Sequence, residues 1–134
     1  MASMHVPKRS PRLEYRLKQR ERIEASPLLA EKFPGLKALT VSLEFFDSAG
    51  RSKQGEMECR LNMERAKSAV WFDCPGAECV GGDFDLSEAL REAVAAGHKV
   101  VTGERRCQGM RNRWKLEAVV CGTVLRYKVT LNYD

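Results

Sequence analysis

Leu39-Thr40-Val41-Ser42-Leu43-Glu44-Phe45 decides the fold. Apolar and polar residues alternate strictly along it, the period of a strand with one face buried and the other in water. Asp47-Ser48-Ala49-Gly50 breaks the alternation with turn-forming residues. A second alternating run follows, with Met57, Cys59, Leu61 and Met63 on one face and Glu56, Glu58, Arg60, Asn62 and Glu64 on the other. The two runs predict an antiparallel hairpin. Cys59 shares the apolar face of the second run and reads as a small buried core thiol.

Working outward, Ala69-Val70-Trp71-Phe72 predicts a short strand that runs directly into Cys74. Val80-Gly81-Gly82-Asp83 reads as a turn, and Asp85 with Glu88 as a capping box. The helix opened there reaches about Ala96, with Leu86, Ala89, Leu90, Ala93 and Val94 on one face, and Gly97 closes it. Three more strands are expected at Val100–Arg106, Trp114–Val120 and Val124–Tyr133. Their short links imply successive antiparallel hairpins. The fold class is therefore α+β: about six antiparallel strands, three on each side of one central helix packed on the sheet.

The N-terminal part differs in character. Leu13 to Ala25 is rich in helix formers, but only Leu13, Leu17 and Tyr15 or Ile23 offer apolar surface. A stripe that sparse predicts a helix loosely docked or formed on a partner. Ser26-Pro27 is a helix-start signal, followed by Leu28, Leu29 and Phe33 and then by Pro34-Gly35. Residues 1–25 thus form a basic arm, partly flexible, and residues 26–134 a single domain.

The net charge is +5, and it is unevenly spread. Residues 1–24 hold seven basic side chains (Lys8, Arg9, Arg12, Arg16, Lys18, Arg20 and Arg22) against three acids, or +4, so the remainder is nearly neutral. Such an arm suits a phosphate backbone or an anionic surface; it equally suits a solvated extension. No window approaches the roughly 18 unbroken apolar residues of a membrane-spanning helix, and no apolar region follows the first basic residues as in a secretory leader. A cytoplasmic location is the expectation, and there clustered cysteines are more often metal-binding than disulfide-bonded.

Four of the five cysteines, Cys74, Cys79, Cys107 and Cys121, lie in the second half as two pairs, with four residues inside the first and thirteen inside the second. Each falls at or beyond a predicted strand end, where loops can converge. Pro75-Gly76, Gly109 and Gly122 permit the tight backbone of a metal-binding knuckle. Four thiolates at tetrahedral spacing suit a structural zinc ion. The arrangement resembles a zinc ribbon in general form, departing from it in the long second spacing. Unrelated free thiols and disulfide or redox chemistry stay open, although a redox pair is usually Cys-x-x-Cys at a helix N-terminus.

Charge around the pairs is opposite in sign. Residues 73–88 carry Asp73, Glu78, Asp83, Asp85 and Glu88, whereas residues 104–115 carry Arg105, Arg106, Arg111, Arg113 and Lys115 against Glu104. The basic loop offsets a tetrathiolate centre, or it contacts nucleic acid with Trp114 as a stacking platform. The register of Trp114 with Leu116 and Ala118 favours a core role for the indole.

No catalytic constellation is present. Of the two histidines, His5 lies in the arm and His98 just past a helix end, and no nucleophile elbow, phosphate loop or dinucleotide fingerprint occurs. The functional expectation is a small zinc-stabilised, non-enzymatic binding module. It would contact nucleic acid or a nucleoprotein complex through Lys8, Arg9, Arg12, Arg16, Arg105, Arg106, Arg111 and Arg113. The alternative is a protein-interaction or structural module without nucleic-acid contact.

Overall fold

A computed structural model describes residues 11–76, 79–111 and 119–134. Its centre is the predicted hairpin: β1 (Leu36–Phe46) pairs antiparallel with β2 (Lys53–Leu61), Val41 opposite Cys59 and Leu43 opposite Met57. The turn between them is held by the Asp47 carboxylate, which accepts from the Arg51 amide at 2.9 Å. The remaining elements are α1 (Pro11–Ala25), α2 (Leu29–Lys32), β3 (Trp71–Asp73), β4 (Asp83–Asp85), α3 (Ser87–Ala96), β5 (Val100–Arg106), β6 (Met110–Arg111), β7 (Val119–Val120) and β8 (Val124–Tyr133).

The main sheet has four strands in the order β2-β1-β8-β5, all antiparallel. Alternation does what it predicts. Leu39, Val41, Leu43 and Phe45 of β1 and Leu125, Tyr127, Val129 and Leu131 of β8 are all buried on one face. Helix α3 lays Leu90 and Ala93 into the same core, and Phe84 of β4 meets Phe45 with ring centroids 5.9 Å apart. Gly103 of β5 stands opposite Tyr127, whose ring occupies the space a side chain there would need. An aromatic residue thus covers the glycine gap in an edge strand.

The α+β reading holds, but its symmetric halves do not. β3 does not join the main sheet; it pairs only with β4, a strand where a simple turn was expected. β5 pairs with β8, and β6 with β7, so the three late strands are not successive hairpins. Most of the Trp114–Val120 run, Trp114 included, lies outside the described residues. Cys59 is half-buried, because β2 is an edge strand whose core face is only partly covered. The capping box is replaced as well. Helix α3 starts at Ser87, Asp85 accepts from the Ser87 amide at 2.9 Å, and the Ser87 hydroxyl accepts from the Val70 amide at 2.9 Å. Gly97 closes the helix in the left-handed region, with φ +70°. Among the described residues no helix is long and apolar enough to cross a membrane.

Leu125→Ala, at a fully buried position on a central strand, should lower unfolding stability by about 2–5 kcal/mol. Lys128→Ala on the open face should change it by about 0.5 kcal/mol or less. Urea unfolding of the two variants checks the assignment of faces.

Candidate metal centre

The cysteines sit where two ladders run out. Beyond β3 the Cys74 amide still donates to the Gly82 carbonyl at 3.3 Å, and beyond β5 the Cys107 amide donates to the Thr123 carbonyl at 2.8 Å. Cys79 closes its turn onto the Gly76 carbonyl at 3.2 Å, and Cys121 donates to the Gly109 carbonyl at 2.7 Å. A bridge between Val80 and Met110 locks the two knuckles together. The thirteen-residue spacing now has a reason: β6 and β7 pair as a hairpin, so Cys107 and Cys121 stand together at its base.

All four cysteines are buried, and their sulfurs lie within 4.8 Å of one another. Cys79 and Cys107 are 3.5 Å apart, Cys74 and Cys121 3.7 Å. Tetrahedral coordination at a Zn–S distance of about 2.3 Å requires sulfur separations near 3.8 Å, so the donor set fits a metal ion. The Gly76 amide donates to Cys74 Sγ at 3.4 Å and the Gly109 amide to Cys107 Sγ at 3.3 Å, each from two residues past its cysteine. Such donors favour the thiolate. Thr123, fully buried, places its hydroxyl 3.2 Å from Cys121 Sγ.

The four thiols do not ionise independently. A hydrogen bond from Cys107 and then the Gly76 amide draw the Cys74 thiol down to about 5 against burial. Cys107 moves up, chiefly because it donates to Cys74, and burial pushes Cys79 up to about 12. One thiol ionises readily and its neighbours then resist. A bound dication removes that resistance, because it opposes the accumulated negative charge.

Gly82, expected only as a turn residue, and Gly109, expected to ease the knuckle backbone, prove to be walls of the site. A methyl group at Gly82 would fall 2.3 Å from Cys79 Sγ and 2.4 Å from Cys107 Sγ, and one at Gly109 would fall 2.4 Å from Cys79 Sγ. The repeated Cys-x-Gly at Cys74–Gly76 and Cys107–Gly109 was the available signal for the amide–sulfur bonds. Nothing in the sequence pattern marks Gly82.

The candidate nucleic-acid contacts are placed unevenly. Lys8, Arg9 and Arg113 lie outside the described residues, as does the side chain of Arg111. Arg12 and Arg16 fold back onto the metal knuckle and both donate to the Cys74 carbonyl at 3.4 Å, and Arg16 lies 3.7 Å from the Asp73 carboxylate. Arg105 stacks over the Tyr127 ring at 5.5 Å, and Arg106 donates to the Ser48 carbonyl at 3.0 Å. Helix α1 is therefore attached to the site, with Tyr15 donating to Asp83 at 3.1 Å. Comparison with family models, curated proteins and solved structures finds no match, so the geometry of the centre carries the functional argument.

Gly82→Ala should abolish tight metal binding while leaving all four ligands in place, whereas Gly35→Ala, with open space around it, should not; competition with a colorimetric chelator measures both. The metal-free protein should also titrate in separated steps. Folding favours the Cys74 thiolate, a contribution complete above the ordinary thiol value of 9.0 and lost as pH falls through about 5. Folding favours the Cys79 thiol, a contribution complete below 9.0 and lost as pH rises through about 12. Thiolate absorbance should rise first near pH 5 and then resist beyond 9; a single step at the ordinary value would contradict the assignment.

Proposed function

We propose that this chain is a non-enzymatic binding module whose fold is stabilised by a structural zinc ion held by Cys74, Cys79, Cys107 and Cys121. The observation that carries the reading is the convergence of four buried sulfurs. An all-thiolate, fully enclosed set leaves no open coordination position, as in structural and not catalytic sites. Tetrahedral sulfur ligation suits zinc or iron, and the ion's role here is to clamp, not to react. Reduced thiols of this kind persist in the cytoplasm, which is where we place the protein.

For the partner, the uneven charge supports a phosphate backbone in nucleic acid or a nucleoprotein complex. On α1, Lys18, Arg20 and Arg22 are exposed and add to the basic side chains upstream. A second reading, a protein partner, is favoured by Arg12, Arg16 and Arg106, which bond to backbone carbonyls within this chain. Cations so committed contribute less to a polyanion contact.

Elemental analysis of protein purified without added metal should return one zinc per chain. Cys107→Ser should lower the melting temperature far more than Cys59→Ser, because it removes a ligand whose binding energy contributes to folding. Equal losses would sink the metal reading. Single-stranded RNA and duplex DNA titrated at increasing salt then separate the partners: a phosphate contact must weaken steeply with salt, and no binding at low salt leaves the protein partner.

A further inference from the structure

Helix α1 is attached only at its surface. None of its described residues is buried, and none belongs to the hydrophobic core. Its polar contacts converge on one place. Arg12 and Arg16 both donate to the Cys74 carbonyl at 3.4 Å, Arg16 lies 3.7 Å from the Asp73 carboxylate, and Tyr15 donates to Asp83 at 3.1 Å. The Tyr15 ring passes over Gly81, where an added methyl group would meet it at 4.0 Å. That seat is the loop end of the β3–β4 hairpin, whose loop carries Cys74 and Cys79. The hairpin has a ladder of three residue pairs and shares none with the main sheet. A two-stranded ribbon that short does not hold its shape in water unaided. Gly82, one residue before Asp83, lies directly against the Cys79 and Cys107 sulfurs.

We propose that α1 is a latch governed by the metal: an ion on the four thiols fixes Cys74 and Gly82 in the geometry that seats the helix, and loss of the ion releases α1 while the main sheet stays folded. The latch presupposes the zinc reading above and adds a regulatory role to the same site. The carbonyl that takes both guanidiniums belongs to a ligand. A bond from Cys74 Sγ to an ion and the bonds from Arg12 and Arg16 therefore select one conformation of one residue. Two binding events that favour the same conformation strengthen each other, and by equal factors. A dication with four thiolates has a formal charge of −2, which would pull on the same two guanidiniums. Once released, a helix of fifteen residues is marginal in water, and Arg12 and Arg16 join the cations of the basic arm. The main sheet has its own support, since Val41, Leu43, Val129 and Leu131 are buried in the core with Leu90 and Ala93 of α3.

The test is amide hydrogen exchange, which reads local opening, on the full chain loaded with zinc and then stripped by a chelator. Elemental analysis first establishes that the metal is bound. On stripping, the amides of α1 from Tyr15 to Ala25 should exchange roughly tenfold faster or more, while those of Val41, Leu43, Val129 and Leu131 keep their protection. Returning zinc should restore α1. Reciprocally, the double variant Arg12→Gln with Arg16→Gln should hold zinc roughly tenfold more weakly in chelator competition. Lys18→Gln with Lys128→Gln removes the same charge from two exposed positions and should hold zinc as the unaltered chain does. Zinc bound but α1 exchange unchanged on stripping overturns the latch and leaves the zinc reading standing. Simultaneous loss of protection in α1 and the central strands also overturns it, because the ion then staples the whole domain. Absence of bound metal defeats both readings. Equal zinc affinity in the two double variants counts against the latch as well, and the exchange comparison on the unaltered protein stands even if a variant misfolds.

Discussion

Four sulfurs held within 4.8 Å of one another in a buried site cannot all carry charge unless a cation joins them. The rest of the architecture answers to that constraint. Gly82 and Gly109 bring bare backbone against the thiols, and Gly76 and Gly109 turn amides toward them. The β3–β4 hairpin shares no ladder with the main sheet. Phe84 and Leu86 tie it to that sheet through the core, and the Val80–Met110 bridge ties it to the β6–β7 pair. A metal held by the four cysteines would cross-link segments far apart in sequence, and a closure of that length would lower the entropy of the unfolded chain.

Four clustered thiols that ionise place negative charge in one buried spot, and with a dication bound the set would still carry a formal charge of −2. The basic loop is not where the described compensation comes from. Arg105 and Arg106 turn to Tyr127 and Ser48, while Arg12 and Arg16 from α1 reach the Cys74 carbonyl. Helix α1 thus belongs to the environment of the centre as well as to the basic arm. Its apolar stripe is sparse, and polar bonds to Asp73, Cys74 and Asp83 do much of the attachment. Asp83 is itself pushed up, chiefly by burial, and Tyr15 is pushed up by burial and the adjacent carboxylate. These shifts have the sign expected of groups partly withdrawn from water at a docked interface.

What was legible in the sequence is what periodicity encodes. The alternation in Leu39–Phe45, the alternating Met57–Leu61 face and the Leu125–Leu131 run gave β1, β2 and β8, and Leu90 and Ala93 gave the buried stripe of α3. The convergence of Cys74, Cys79, Cys107 and Cys121 was legible because all four lie at strand ends, where loops can meet, with glycines beside them. Three features were not. β4 is three residues long, too short for a period, and it hides in a Gly-Gly-Asp stretch that reads as a turn. The pairing of β5 with β8 skips a hairpin, and sequence gives no count of skipped partners. The contacts of α1 with the body include arginine-to-carbonyl bonds, which have no spacing rule, since every residue carries a carbonyl. Local chemistry also displaced the expected cap: Asp85 and Ser87 satisfy amides on either side of the helix start without forming the box.

The opposite face of the sheet is charged. Across it Glu104, Arg126, Glu44 and Glu56 stand in one cross-strand row, with Lys53 bonded to both Glu44 and Glu56. Exposed pairs of this kind add little stability. The free edge of β2 is guarded similarly. A second copy pairing antiparallel about Met57 would set Glu56 opposite Glu58 on both sides of the axis, and like charges directly opposed across strands repel. The described large apolar side chains that remain exposed are Leu13 on α1, Val119 and Val120 on the β6–β7 hairpin, and the strand residues Met57 and Val100. The first three flank the cysteine centre and its attached helix. On the described surface, exposed apolar side chains thus sit beside the four thiols as well as on the strands β2 and β5.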